Sequence, residues 1–172
     1  RFIAGLYLKE QSPIASWANS CFTICYVAVP LTMLALILHT YGMLIALFMF
    51  VCIWLNDTGA YLVGCTIGKH RLFERISPKK SWEGFFGGMA FCIAAGAFAH
   101  HLIGGCQAIW IPFAIIESVF STWGDLVESL IKRTAGVKDS GNIMPGHGGV
   151  LDRIDSLLFV APAILAYLYL VH

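Results

Sequence analysis

Residues 11–56 read QSPIASWANSCFTICYVAVPLTMLALILHTYGMLIALFMFVCIWLN, a run without a single Asp, Glu, Lys or Arg. A helix needs about 20 apolar residues to cross a bilayer, so this run is too long for one span and suits two. The polar pause His39-Thr40-Tyr41-Gly42 divides it, with Thr32–Leu38 closing the first span and Met43–Leu55 forming the next. Pro30 lies inside the first span and is expected to kink it, a feature that membrane helices tolerate.

The same pattern recurs downstream. Gly84 to Ile116 is again uncharged and breaks at Gly104-Gly105, which predicts spans over Phe85–Ile103 and Ile109–Trp123. Ser156 to His172 predicts one short final span. The expected fold is therefore all-α, a polytopic integral membrane protein with about five transmembrane helices and polar loops, organised as one membrane-embedded catalytic domain over residues 1–172. Composition agrees. Hydrophobic residues make up 58% and charged residues 12%, against about 25% charged in ordinary soluble chains. A net charge of +1 gives no field that would draw in nucleic acid. The six cysteines include no close pair of the zinc or redox kind and read as small packing residues. Arg1 opens into Phe2-Ile3-Ala4-Gly5 with no start methionine and no signal-peptide pattern, so further N-terminal spans are expected to precede it.

The charges collect in two blocks. Asp57 to Glu83 holds Lys69, Arg71, Arg75, Lys79 and Lys80; Asp125 to Asp155 holds Lys132, Arg133, Lys138 and Arg153. The positive-inside rule places both at the cytoplasmic face, consistent with the two spans counted between them, and puts the C-terminus on the opposite side. Asn56 to Gly68 reads as a helix leaving the membrane and stopping at Gly68, and Leu126 to Thr134 as a helix ending before Gly136. Ala135 to Gly149 is a glycine-rich loop containing Pro145.

Chemistry concentrates in the second block. On a helix, Asp125, Glu128, Ser129 and Lys132 recur at steps of three and four and share a face. Lys138-Asp139 and Pro145-Gly146-His147-Gly148-Gly149 follow, then Asp152-Arg153-Ile154-Asp155, whose two carboxylates again lie three apart near a helix N-terminus. A solvated interfacial rim is the bland alternative. Carboxylates beside apolar spans are costly unless they serve a site. Five acids, four basic residues and a glycine loop fit a divalent cation with phosphate: Mg²⁺ takes carboxylate and phosphate oxygens, Lys and Arg neutralise phosphate, and glycines let backbone N–H groups approach an anion.

In the first block, Ser77-Pro78-Lys79-Lys80-Ser81-Trp82-Glu83-Gly84 reads as a phosphate-gripping loop, with a lipid-attracted basic stretch as the alternative. Asp57 is a site residue or an interfacial helix cap. Glu117 pairs within the bundle or faces a cavity. His100-His101 falls at the far membrane face, away from the charges. His147 positions a phosphate, acts as a base or serves the turn.

The run Ser129-Leu130-Ile131-Lys132-Arg133, then Lys138-Asp139, then Pro145-Gly146-His147-Gly148-Gly149-Val150-Leu151-Asp152-Arg153-Ile154-Asp155, resembles the signature of the phosphatidate cytidylyltransferases, integral membrane CDP-diacylglycerol synthases. The likeness extends to Gly124-Asp125-Leu126, to Ser77 through Gly84 and to Asp57-Thr58-Gly59-Ala60-Tyr61, and so covers about residues 50 to 156. It implies a homodimer in the bacterial inner membrane, with a cytoplasm-facing site that joins CTP and phosphatidic acid with Mg²⁺. It further implies that Asp125 and Asp152 hold the metal with Asp155 nearby; the number of ions stays open. Asp125, Asp152, Asp155, Lys132 and Arg133 are then the catalytic candidates. Ser77, Lys79, Lys80, Ser81, Lys138, His147, Gly148, Gly149 and Arg153 are the phosphate-binding candidates, with Asp57, Glu128 and Asp139 as further site positions. The nearest rival is a CTP-dependent lipid kinase, which attacks the γ-phosphate. A transporter would carry mid-span charges and repeats, and a scaffold leaves the paired carboxylates unexplained.

Overall fold

Gly42 adopts φ 89°, a left-handed conformation that suits glycine, and there the long uncharged run turns back on itself. Before it, helix α1 (Pro13–Thr23), a π-helical turn (Ile24–Ala28) and helix α2 (Val29–Tyr41) form one continuous rod. After it, α3 (Met43–Ile67) runs unbroken through the expected membrane exit and stops at Gly68. The structure, a computed structural model, describes residues 12–103, 107–137, 140–141 and 149–171. The remaining elements are strands β1 (Arg71–Phe73) and β2 (Ser77–Ser81), then helices α4 (Trp82–Ile103), α5 (Gln107–Thr134) and α6 (Leu151–Val171).

Among the described residues, four helices are long and apolar enough to cross a membrane: Ile14–Tyr41, Met43–Ile67, Trp82–Ala99 and Leu151–Val171. The fifth expected span, Ile109–Trp123, is the first part of α5, which continues without a break through the segment read separately as Leu126–Thr134. Charge divides that helix into an apolar part and a polar part, yet the backbone hydrogen-bond ladder continues across the boundary. The fold is an all-α polytopic bundle. Among the described residues its one departure is the small antiparallel hairpin β1–β2, with Arg71 opposite Ser81 and Phe73 opposite Ser77.

Helices α3 to α6 pack as antiparallel neighbours in chain order, and α2 closes against α6. Close approach of α3 and α4 depends on glycine. A Cβ on Gly88 would lie 2.6 Å from the Asn56 carbonyl oxygen, so the two backbones meet as small-residue membrane interfaces do. At mid-depth Ile37, Met49, Cys52, Cys92, Phe113, Val160 and Ile164 form the buried centre, with Phe48 set edge-on to Trp110 at 5.3 Å. The outer faces keep large apolar side chains exposed, among them Phe22, Phe50, Trp54 and Leu170, as expected where the solvent is hydrocarbon. Cys52 and Cys92 are buried and match the packing role, whereas Cys21, Cys25 and Cys65 are exposed on the outer faces; Cys106 lies outside the described residues.

Candidate active site

The antiparallel arrangement brings both charged blocks to one end of the bundle. There Lys80 Nζ of β2 meets Asp125 Oδ2 of α5 at 2.5 Å, which joins the two blocks directly. Asp125 shares its face of α5 with Glu128, Ser129 and Lys132, as a 3.6-residue repeat requires. Ser129 Oγ donates to Asp125 Oδ1 at 3.3 Å. Lys132 Nζ reaches Glu128 Oε2 at 2.5 Å and Asp152 Oδ1 of α6 at 2.7 Å.

Close contact of α5 with α6 completes the group. A Cβ on Gly124 would lie 2.8 Å from the Asp155 carbonyl oxygen and 2.9 Å from Ser156 Cα, so only glycine lets the next residue, Asp125, come this near to Asp155. One carboxylate oxygen each from Asp125, Glu128 and Asp155 then lies within 4.8 Å of the others. Three converging carboxylates can hold a metal ion, and hard oxygen donors suit a cation such as Mg²⁺ or Ca²⁺. Burial pushes the Glu128 carboxyl up to about 7, against the pull of its hydrogen bond from Lys132.

Asp152 adjoins this trio through Lys132, which it shares with Glu128. Its carboxylate is taken up by Lys132, by the Gly149 N–H at 2.7 Å, and by the Ser140 N–H at 3.0 Å and Oγ at 2.9 Å. It thus ties both ends of the loop before α6 to the end of α5. The resemblance assigns the metal to Asp125 and Asp152 with Asp155 nearby; the structure brings one oxygen each of Asp125, Glu128 and Asp155 within 4.8 Å and joins Asp152 to them through Lys132. Arg133 and Arg153 are exposed at the end of α5 and the start of α6. Lys138, Asp139, His147 and Gly148 lie outside the described residues.

The first block forms a cavity beside the trio. Its volume is about 270 Å³, and Asp57, Tyr61, Lys79, Lys80, Phe85 and Asp125 are among the residues lining it. Ser81 is buried and its Oγ accepts the Gly84 N–H at 3.1 Å, which caps α4; Ser77 opens β2 opposite Phe73. The hairpin is anchored by a residue that no spacing argument singles out. Glu83 accepts from the His70 backbone N–H at 3.2 Å and contacts His70 Nδ1 at 2.6 Å, while the Trp82 N–H donates to the His70 carbonyl at 2.9 Å. Glu83→Ala is expected to release the hairpin, so trypsin should cut at Lys79 and Lys80 several-fold faster than in the parent protein. An unchanged cleavage rate would show that the hairpin is held elsewhere.

Beneath the cavity lies a polar seam that the sequence reading missed. Asn56 is buried, accepts from Ser118 Oγ at 2.6 Å and donates to Ser121 Oγ and Thr122 Oγ1 at 3.4 Å. Its only advance signal is spacing, since Ser118, Ser121 and Thr122 precede Asp125 at helical steps on one face. Glu117, next to Ser118 on α5, is fully buried.

Apolar membrane-length helices define an integral membrane protein, and three carboxylates gathered at one end of it could hold a metal ion. A model of the cytidylyltransferase family matches residues 2–171, and the chain belongs to that family. Over 123 residues it is 49% identical to the phosphatidate cytidylyltransferase of Staphylococcus epidermidis, an alignment covering 70% of this chain and 47% of that protein. Over the same length it is 47% identical to the phosphatidate cytidylyltransferase of Staphylococcus aureus and 48% identical to that of Staphylococcus saprophyticus, with the same coverage. The chain spans about half the length of these relatives.

Proposed function

We propose that this chain carries the active site of a phosphatidate cytidylyltransferase, which converts CTP and phosphatidic acid to CDP-diacylglycerol and pyrophosphate. The observation that carries the reading is the carboxylate trio held between Lys80 and Lys132 at one end of a membrane bundle. The names of the relatives support the choice of substrates.

In the reaction a phosphatidate oxygen attacks the α-phosphorus of CTP, a new P–O–P link forms, and the bond to the β-phosphate breaks as pyrophosphate departs. The attacking phosphate is already anionic at neutral pH, so the obstacle is repulsion between two anions. Lys79 and Lys80 line the cavity and would neutralise the triphosphate, with Ser77 and Ser81 on the same strand. Lys132 is held between Glu128 and Asp152, and Arg133 and Arg153 stand at the rim to receive phosphate oxygens. Asp125, Glu128 and Asp155 fit Mg²⁺ by donor type and spacing. When bound, the ion supplies charge neutralisation and alignment for in-line displacement. Asp152 would shape the site by holding Ser140 and Gly149 to the end of α5, and Lys138, Asp139, His147 and Gly148 remain site candidates by the resemblance. Asp57 borders the same cavity and completes its acidic wall.

The proposed setting is a bacterial inner membrane with the site facing the cytoplasm, supported by nine of the eleven basic residues falling in the two blocks, and a homodimer. Label position tests the reaction. Cytidylyl transfer puts the α-phosphorus of CTP into lipid and releases the β- and γ-phosphates together; γ-label in the lipid would instead establish a CTP-dependent kinase. Lys80→Ala is expected to raise KM for CTP or for phosphatidate about tenfold, the size of one lost charge-assisted hydrogen bond. Unchanged KM values for both would remove Lys80 from phosphate binding.

A further inference from the structure

The π-helical turn at Ile24–Ala28 has a local cause. Pro30 has no N–H, and in a continued α-helix its ring would collide with the carbonyl four residues back, that of Tyr26. The helix widens instead, and the Val29 N–H reaches the Ile24 carbonyl. One extra residue enters the turn, which rotates the preceding side chains by about 100° relative to those that follow. Such turns are frequent where a helix serves a site.

Tyr26 sits in the middle of this turn. Its ring stacks on Phe22, with centroids 5.4 Å apart and planes 8° apart, and meets the edge of Phe159 at 6.2 Å. Phe159 lies one helical turn beyond Asp155 on α6. The hydroxyl is shielded from solvent and has no hydrogen-bond partner among the described residues. Among the described residues, the charged side chains whose field reaches it are Glu128, Asp155 and Lys132, all members of the site. A buried hydroxyl left unbonded is unfavourable, so its place beside the trio makes sense if a ligand completes it.

We propose that the Tyr26 hydroxyl donates a hydrogen bond to the phosphate of the lipid substrate and holds it against the carboxylate trio. This rests on the cytidylyltransferase reading above. Two features select the lipid over the nucleotide. Tyr26 belongs to a membrane helix whose neighbouring Phe22 and Ile24 are exposed as if to hydrocarbon. It also packs on Phe159 of α6, one turn along from Asp155, and is not among the residues lining the cavity that holds Lys79 and Lys80. Tyrosine suits the place, with an apolar ring for the bilayer side and a polar tip for the headgroup. A phenol also adds a donor without adding charge.

The test compares the parent protein with Tyr26→Phe, which keeps the ring and its packing, in vesicles of phosphatidylcholine containing phosphatidate. Steady-state turnover, phosphatidate binding without CTP, and thermal stability are all measured. Tyr26→Phe is expected to raise KM for phosphatidate and weaken its binding about tenfold or more, as loss of a hydrogen bond to a charged group does. KM for CTP and the melting temperature should not change. An unchanged phosphatidate KM and affinity would overturn the assignment, as would a defect confined to CTP. A lower melting temperature with unaltered phosphatidate KM would also overturn it, by showing that the hydroxyl bonds within the protein. If the parent binds phosphatidate but transfers no cytidylyl group, the functional reading fails, and the binding difference alone decides the Tyr26 assignment.

Discussion

Asp125→Asn is expected to lower turnover by about 10³-fold, roughly 4 kcal/mol of transition-state stabilisation, with little change in folding. Asp125 is the one acid that belongs to both halves of the site, because it faces Glu128 and Asp155 and also receives Lys80 from the hairpin. Asparagine keeps the shape but removes the charge that a divalent cation and Lys80 require. Residual activity should need more Mg²⁺ to saturate. Asp155→Asn should behave alike. Asp152→Asn should also lose activity by orders of magnitude, but with a second symptom. Its carboxylate gathers Lys132, Ser140 and Gly149, so the loop before α6 should become protease-sensitive. Near-normal turnover of Asp125→Asn at saturating Mg²⁺ would remove Asp125 from the cation site.

Gly124→Val is expected to have the largest effect on the bundle itself. The nearest atoms to a Cβ at this position are the backbone of Asp155 and Ser156, at 2.8 to 3.2 Å. Backbone cannot swing aside as a flexible side chain can. The valine must push α5 away from α6, at a cost of about 3 kcal/mol or more, and in doing so it separates Asp125 from Asp155. The expected result is a lower melting temperature together with lost activity. Gly124→Ala should show the same two defects in weaker form. A valine variant with parental stability would mean that α5 and α6 are not in contact here.

The membrane helices were legible because lipid imposes one rule on sequence, and each uncharged run obeys it without reference to its neighbours. Gly42 was legible as a pause for the same reason, although its left-handed turn was not. The hairpin was not legible. Arg71–Phe73 is only three residues long, and Ser77–Ser81 contains proline and two lysines, a poor strand by propensity. It forms because Glu83, thirteen residues along the chain, and its neighbour Trp82 hold His70. Spacing did place Asp125, Glu128, Ser129 and Lys132 on one face of α5. Spacing alone left Asp152 and Asp155 equivalent on one face of α6, and the resemblance assigned the metal to Asp152. The contact of α5 with α6 at Gly124 brings Asp155 beside Asp125. Tyr26 was out of reach, because its orientation depends on a π turn that Pro30 induces and on a helix more than a hundred residues away.

The most direct test of the account is incorporation of α-labelled CTP into phosphatidate by the purified protein, followed as Mg²⁺ is withdrawn with a chelator and then restored. The account predicts labelled CDP-diacylglycerol and one pyrophosphate per lipid with Mg²⁺, no product without it, and recovery on restoring the ion. Undiminished transfer in the presence of chelator would contradict the carboxylate trio as a cation site. Absence of labelled lipid under every condition would contradict the proposed reaction.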